Sequence, residues 1–164
     1  MAGWLRTAAY WVATVIIAWE MTAGSLWDLL QVEYVRVVFA HLNYPLYLLT
    51  IIGVWKFPCA VVLLIPRVPW LKEWAYAGAF FNYSGASASH LLAGDAATWW
   101  GATLGFAVIT LVSWVLRPPH RRITASAPDP APSATAWLVA AAGIAALVAS
   151  ALLTLPQGPP RYPF

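Results

Sequence analysis

Charge is what this sequence has least of. Only 9% of its 164 residues are charged and 62% are hydrophobic, against about 25% charged and 45–50% apolar in an ordinary soluble domain. That scarcity excludes a catalytic domain in water and makes lipid the solvent. Cysteine is nearly missing too. Cys59 stands alone, which excludes an intramolecular disulfide, a CxxC redox pair and a thiolate metal cluster, and leaves Cys59 as a small apolar filler. Three scattered histidines, His41, His90 and His120, do not make a metal site. His41 and His120 fall in loops, where solvation is expected. No Rossmann glycine pattern, Walker motif or nucleophile elbow occurs, and no haem or flavin motif is visible.

Long apolar runs are what the chain does have. A span of about 20 apolar residues crosses the hydrocarbon core, and five such runs are found, at 8–30, 45–65, 74–92, 97–116 and 136–155. The first follows Arg6 as a signal peptide does, but it is too long for a cleavable segment and carries Glu20 and Trp27. None alternates as barrel strands must. The expected fold is therefore an all-α membrane protein: a four-helix transmembrane bundle over 1–116, a mobile Pro/Ser/Ala-rich cytoplasmic linker over 117–135, and an additional C-terminal helix with a short outer tail over 136–164. Residues 31–44 mix polar and apolar positions and read as a short amphipathic helix along the interface. The run "AAAGIAALVASA" in the last span offers a small-residue surface for the bundle edge or another subunit, a homo-oligomer included.

Sidedness follows from the cations. Arg6, Arg67, Lys72, Arg117, Arg121 and Arg122 share one side and only Arg36 and Arg161 the other, so the positive-inside rule puts the N-terminus in the cytoplasm and the C-terminus outside a bacterial inner membrane. The net charge of +3 reflects this topology, not nucleic-acid binding. The bilayer is the one partner composition demands.

Two charges stand deep in the spans. Lys56 falls near the centre of the second and Glu20 near the centre of the first, so antiparallel neighbours carry them at equal depth. A lone charge there costs about 2.5–3.5 kcal/mol on insertion scales. They are natural partners, either as a structural ion pair or as part of a pocket. Gly53 and Pro58 loosen the turn around Lys56 and predict a kink with freed carbonyls. Glu20, Gly24 and Asp28 recur every four residues, a polar stripe toward the outer interface. Asp28 and Glu73 lie near span ends, where an anchor or cap is the commoner role. In the third span Tyr76, Phe80, Tyr83, Ser87 and His90 share one face, and Gly78, Asn82, Gly85 and Ser89 form a second, small face for close helix approach. Most tryptophans read as an interfacial belt, but Trp55 lies mid-span beside Lys56. The proton-handling candidates are thus Glu20, Lys56 and His90, with His90 equally suited to a hydrogen bond at a helix end. Trp55, Tyr83, Asn82 and Asp28 are the ligand-binding candidates.

The stretch 44–95, through "GVWK" (53–56), "LLIPR" (63–67), "LKEWAYAG" (71–78) and "SHLLAGD" (89–95), resembles the DoxX-like family of small bacterial membrane proteins. The resemblance implies a four-helix membrane bundle. Some relatives are membrane subunits of quinone-linked sulfur oxidoreductases and others are linked to thiol and oxidative-stress defence. The fifth helix and Pro58 depart from the family's usual pattern. Three functions follow as expectations. The first is a membrane subunit of a quinone-linked or stress-related oxidoreductase assembly, with quinone as cofactor, a pocket at Lys56, Trp55 and Tyr83, and electrons from a membrane or peripheral redox partner. The second is a stand-alone enzyme doing acid–base chemistry on a lipid-soluble substrate. The third is a non-catalytic transporter or assembly subunit.

Overall fold

A computed structural model describes residues 3–123 and 131–160. All regular structure among them is helical: α1 (Gly3–Leu29), α2 (Glu33–His41), α3 (Tyr47–Leu64), α4 (Pro69–Ala93), α5 (Ala97–Leu116), a 3-10 turn (Pro119–Arg121) and α6 (Ala134–Leu153). The helices α3, α5 and α6 are long and apolar enough to cross a membrane. α1 and α4 are longer still, 27 and 25 residues, but their polar side chains make them less apolar. Those polar groups point inward. Tyr10, Thr14, Thr22, Ser25 and Asp28 of α1 and Tyr76, Tyr83, Ser87 and His90 of α4 are all buried, while large apolar side chains such as Trp55, Phe81 and Leu92 are exposed. This inverted distribution suits a bundle whose surroundings are lipid.

α1 is the hub, packed against α3, α5 and α6, and α4 closes the bundle against α5 and α3. Ile17, Met21, Leu63, Ala79 and Tyr83 centre the core. Ile144 and Leu147 of α6 pack onto it from the edge, and Ser150 accepts a hydrogen bond from the Trp19 indole at 3.2 Å. The last helix therefore docks on α1 and α3 of its own chain, as its small residues allow; Ala151 is fully buried.

One end of the bundle is sealed by cations. The final carbonyls of α3 have no partners within their own helix, and two cations satisfy them. Lys72, fully buried, donates to the carbonyls of Val62 and of Ile65, the latter at 2.7 Å. Arg121 donates to Leu63 and Leu64 at 3.0 and 3.3 Å and lies 4.7 Å over the Trp11 ring. Positive charge at a helix C-terminus also complements the macrodipole. Arg117 and Arg121 are buried, so the beginning of the expected mobile linker is instead fastened to the bundle. Residues 124–130 of that linker and Arg161 of the tail lie outside the described residues.

Candidate functional site

α1 and α3 run antiparallel and very close. An added Cβ at Gly53 would lie 2.9 Å from Leu29 Cγ and 3.1 Å from Asp28 Cβ, and the Ser25 hydroxyl donates to the Gly53 carbonyl at 2.8 Å. α3 continues through Pro58. The Lys56 ammonium turns to a carboxylate of α1, not to carbonyls near that proline.

Lys56 Nζ donates to Asp28 Oδ2 at 3.0 Å, with the two side chains 14% and 4% exposed. Glu20 Oε2 instead accepts the Tyr83 hydroxyl. The direct Glu20–Lys56 pair expected from equal depth is thus replaced by two pairs. Helical side chains lean toward their own N-terminus, and α3's N-terminal end lies beside α1's C-terminal end. Lys56 therefore leans toward Asp28. Gly24 leaves the path open: a Cβ there would lie 2.9 Å from Lys56 Nζ and 3.2 Å from Glu20 Oε1. Both pairs crowd over one glycine, forming a single acid–phenol–amine–acid cluster. Asp28 is a buried member of it and not an interfacial cap.

Glu20, Asp28 and Lys56 of the cluster line a cavity of about 860 Å³ bounded by α1 to α5, with His90 also in its wall. The α2 face carrying Tyr34, Val35, Val38 and Phe39 covers it. This α2 is the amphipathic helix expected over 31–44. It is tied down by side chains: Tyr34 meets Trp27 and Trp99 with ring centroids 6.0 and 6.5 Å apart, and His41 reaches Asp95.

Asp95 is the site residue that the sequence did not suggest. Gly94 ends α4 in the left-handed conformation (φ 84°), a turn glycine adopts without steric cost. The chain then folds back, with the Asp95 amide donating to the His90 carbonyl at 3.0 Å. This turn brings the Asp95 carboxylate 2.6 Å from His90 Nδ1 and 2.6 Å from His41 Nε2. His41 is therefore not a solvated loop residue. His90 stacks on Trp99 at 5.4 Å, ends its helix with a hydrogen bond to Asp95 and lines the cavity. The His–Gly-Asp spacing of "SHLLAGD" was the available signal.

Burial pushes the Asp95 carboxyl up, but the hydrogen bonds from His90 and His41 and the attraction of both rings outweigh it, and the group is held below its ordinary 3.8. A depressed folded-state value means the stabilisation is present above the unfolded pKa and is lost as pH falls through the folded one. The clasp on α2 therefore persists at neutral pH and opens as pH falls below the ordinary carboxylate value. Asp95→Asn is expected to speed amide hydrogen exchange in α2 at pH 7, and wild type and variant should converge below the folded-state value. Equal α2 exchange at pH 7 would show that Asp95 does not hold the helix.

One expectation is corrected on the outer surface. Trp55 is 72% exposed and lies outside the 860 Å³ cavity. The small face of α4 receives no neighbouring helix among the described residues, since a Cβ at Gly78 or Gly85 would meet nothing within 4 Å. Trp55 and Asn82 instead line a second, apolar cavity of about 380 Å³ between α3 and α4, together with Lys56, Pro58 and Trp74. The described residues hold no group of three His, Cys, Asp or Glu placed for a metal ion.

The model of the DoxX-like family matches residues 12–115, from α1 to the end of α5. The chain belongs to the DoxX-like family. No curated protein and no solved structure matches it. The matched stretch of this DoxX-like chain contains every member of the buried cluster and the Asp95 bridge, and leaves α6 outside.

Proposed function

We propose that this DoxX-like protein is a membrane subunit of a redox assembly that handles a lipid-soluble carbonyl compound of the quinone type. Lys56 carries the reading: it stands in the wall of both the cavity covered by α2, which holds the carboxylates, and the groove between α3 and α4. It thus joins a route from the bilayer to a set of proton-handling groups. A quinone supplies two-electron chemistry that takes up two protons, and a partner redox protein supplies the electrons. The chain's own residues would hold and move those protons. Glu20 accepts from the Tyr83 hydroxyl and sits beside Lys56, an acid and an amine within reach of one another. Asp28 holds the Lys56 ammonium in place.

In this reading α1, α3, α4, α5 and α6 are five spans of a bacterial inner membrane, with the N-terminus cytoplasmic and the C-terminus outside. The six cations on one side support that orientation, and a reporter fused after Phe164 that is active only in the cytoplasm would overturn it. The face of α6 turned from the bundle, with Leu138 and Val139 more than two-thirds exposed, is available to a partner subunit or a second copy.

The functional reading is tested by purifying the protein from bacterial membranes in lipid nanodiscs and identifying retained small molecules by mass spectrometry. Co-purified quinone is expected at near one per protein, and Lys56→Met is expected to lose most of it. Retention of phospholipid alone by the wild type would sink the reading.

A further inference from the structure

The 380 Å³ cavity between α3 and α4 lies on the outside of the bundle, yet it contains an amide. Asn82 stands near the middle of the 25-residue α4, in a wall that, Lys56 apart, is built mainly from apolar side chains such as Ile52, Trp55, Val62 and Trp74. Among the described residues the Asn82 side chain makes no hydrogen bond. In hydrocarbon a bare amide costs several kcal/mol, so a partner is required there.

We infer that this groove is the docking site for the polar head of a lipid-soluble molecule, with the Asn82 amide and the Lys56 ammonium donating to one carbonyl oxygen. This rests on the quinone-type reading above and says where that ligand sits: in the groove between α3 and α4, not in the larger cavity covered by α2. Several observations select the occupant. Lys56 uses one of its three donors on Asp28, leaving it able to meet an acceptor, and Asn82 has two more N–H donors. Glu20 and Asp28 stand behind Lys56, which disfavours an anionic head and favours a neutral carbonyl. Trp55 and Trp74, 72% and 75% exposed, flank the opening with flat rings suited to a planar head. The volume falls in the range of about 300–1,000 Å³ typical of small-molecule sites. A second copy of the chain is the competing occupant, since Gly78 and Gly85 lie near Asn82 on α4, but the two projecting tryptophans hold a neighbouring helix away from the groove while leaving room for a ring.

The test uses an azido-benzoquinone with a decyl tail, photolysed with the full-length protein in proteoliposomes, with labelled peptides mapped by mass spectrometry. Labelling is expected on segments 51–59 and 71–82, displaced by excess unlabelled decyl-benzoquinone. Asn82→Leu is expected to reduce it at least fivefold with an unchanged thermal midpoint, because the new side chain faces lipid. Labelling concentrated on Tyr34 and Trp99, or unaffected by Asn82→Leu, would overturn the groove and leave the quinone reading standing. No displaceable labelling anywhere would overturn both. Copy-to-copy disulfides between cysteines introduced by Gly78→Cys or Gly85→Cys, formed whether or not the quinone is present, would assign the face to a dimer and also overturn the inference.

Discussion

Lys56→Met is expected to destabilise the protein by about 3–5 kcal/mol, the usual consequence of removing one partner from a buried ion pair. The Asp28 side chain is 4% exposed and Lys56 is its direct ionic partner among the described residues, so the variant leaves a carboxylate buried without a counter-charge. The second substitution separates structure from function. Asp28→Asn combined with Lys56→Met removes both charges at similar volume and should recover most of the stability, while quinone retention stays lost. Thermal unfolding in detergent, with retained quinone measured on the same samples, reads both quantities. A single-variant loss below about 1 kcal/mol would place the pair with solvent-exposed salt bridges and refute its burial. Recovery of quinone in the double variant would make the pair purely structural.

The next largest effect is expected at Gly53. Gly53→Ala places a methyl group 2.9 Å from Leu29 Cγ, closer than real Cβ contacts come, and 3.1 Å from Asp28 Cβ, tighter than most, so the Leu29 side chain or the spacing of α1 and α3 must shift. Overpacking of this kind costs about 1–3 kcal/mol. The loss should also move Asp28 relative to Lys56 and weaken the Ser25 bond to the Gly53 carbonyl. Gly78→Ala is the matched control, with nothing within 4 Å of the added methyl and a helix-propensity gain of up to about 1 kcal/mol. Equal thermal midpoints for the two variants would mean that the close approach of α1 and α3 is not what the glycine is for.

Composition alone determined the solvent, and with it the helices: so few charges in so apolar a chain leave hydrocarbon as the surroundings, and a backbone in hydrocarbon must bond to itself. The helical period then placed Glu20, Gly24 and Asp28 on one stripe of α1 and Tyr76, Tyr83, Ser87 and His90 on the buried face of α4. The cost of a bare ammonium in lipid already required a carboxylate for Lys56. Tertiary structure decided which one. Periodicity gives the angle and depth of a Cα, but a lysine stem spans more than one candidate, and the choice fell to the tilt of side chains along antiparallel helices and to the gap left by Gly24. Tyr83 shows the same limit: sequence grouped it with Lys56 and Trp55, but those two share the groove between α3 and α4 while the Tyr83 hydroxyl turns to Glu20. Asp95 lies far from His41 in the chain, and only the left-handed turn at Gly94 brings its carboxylate between two histidines. Lys72 and Arg121 read as markers of sidedness, but the end of α3 leaves carbonyls that those cations satisfy. Contacts of this kind depend on the offset between helices, which no single helix encodes.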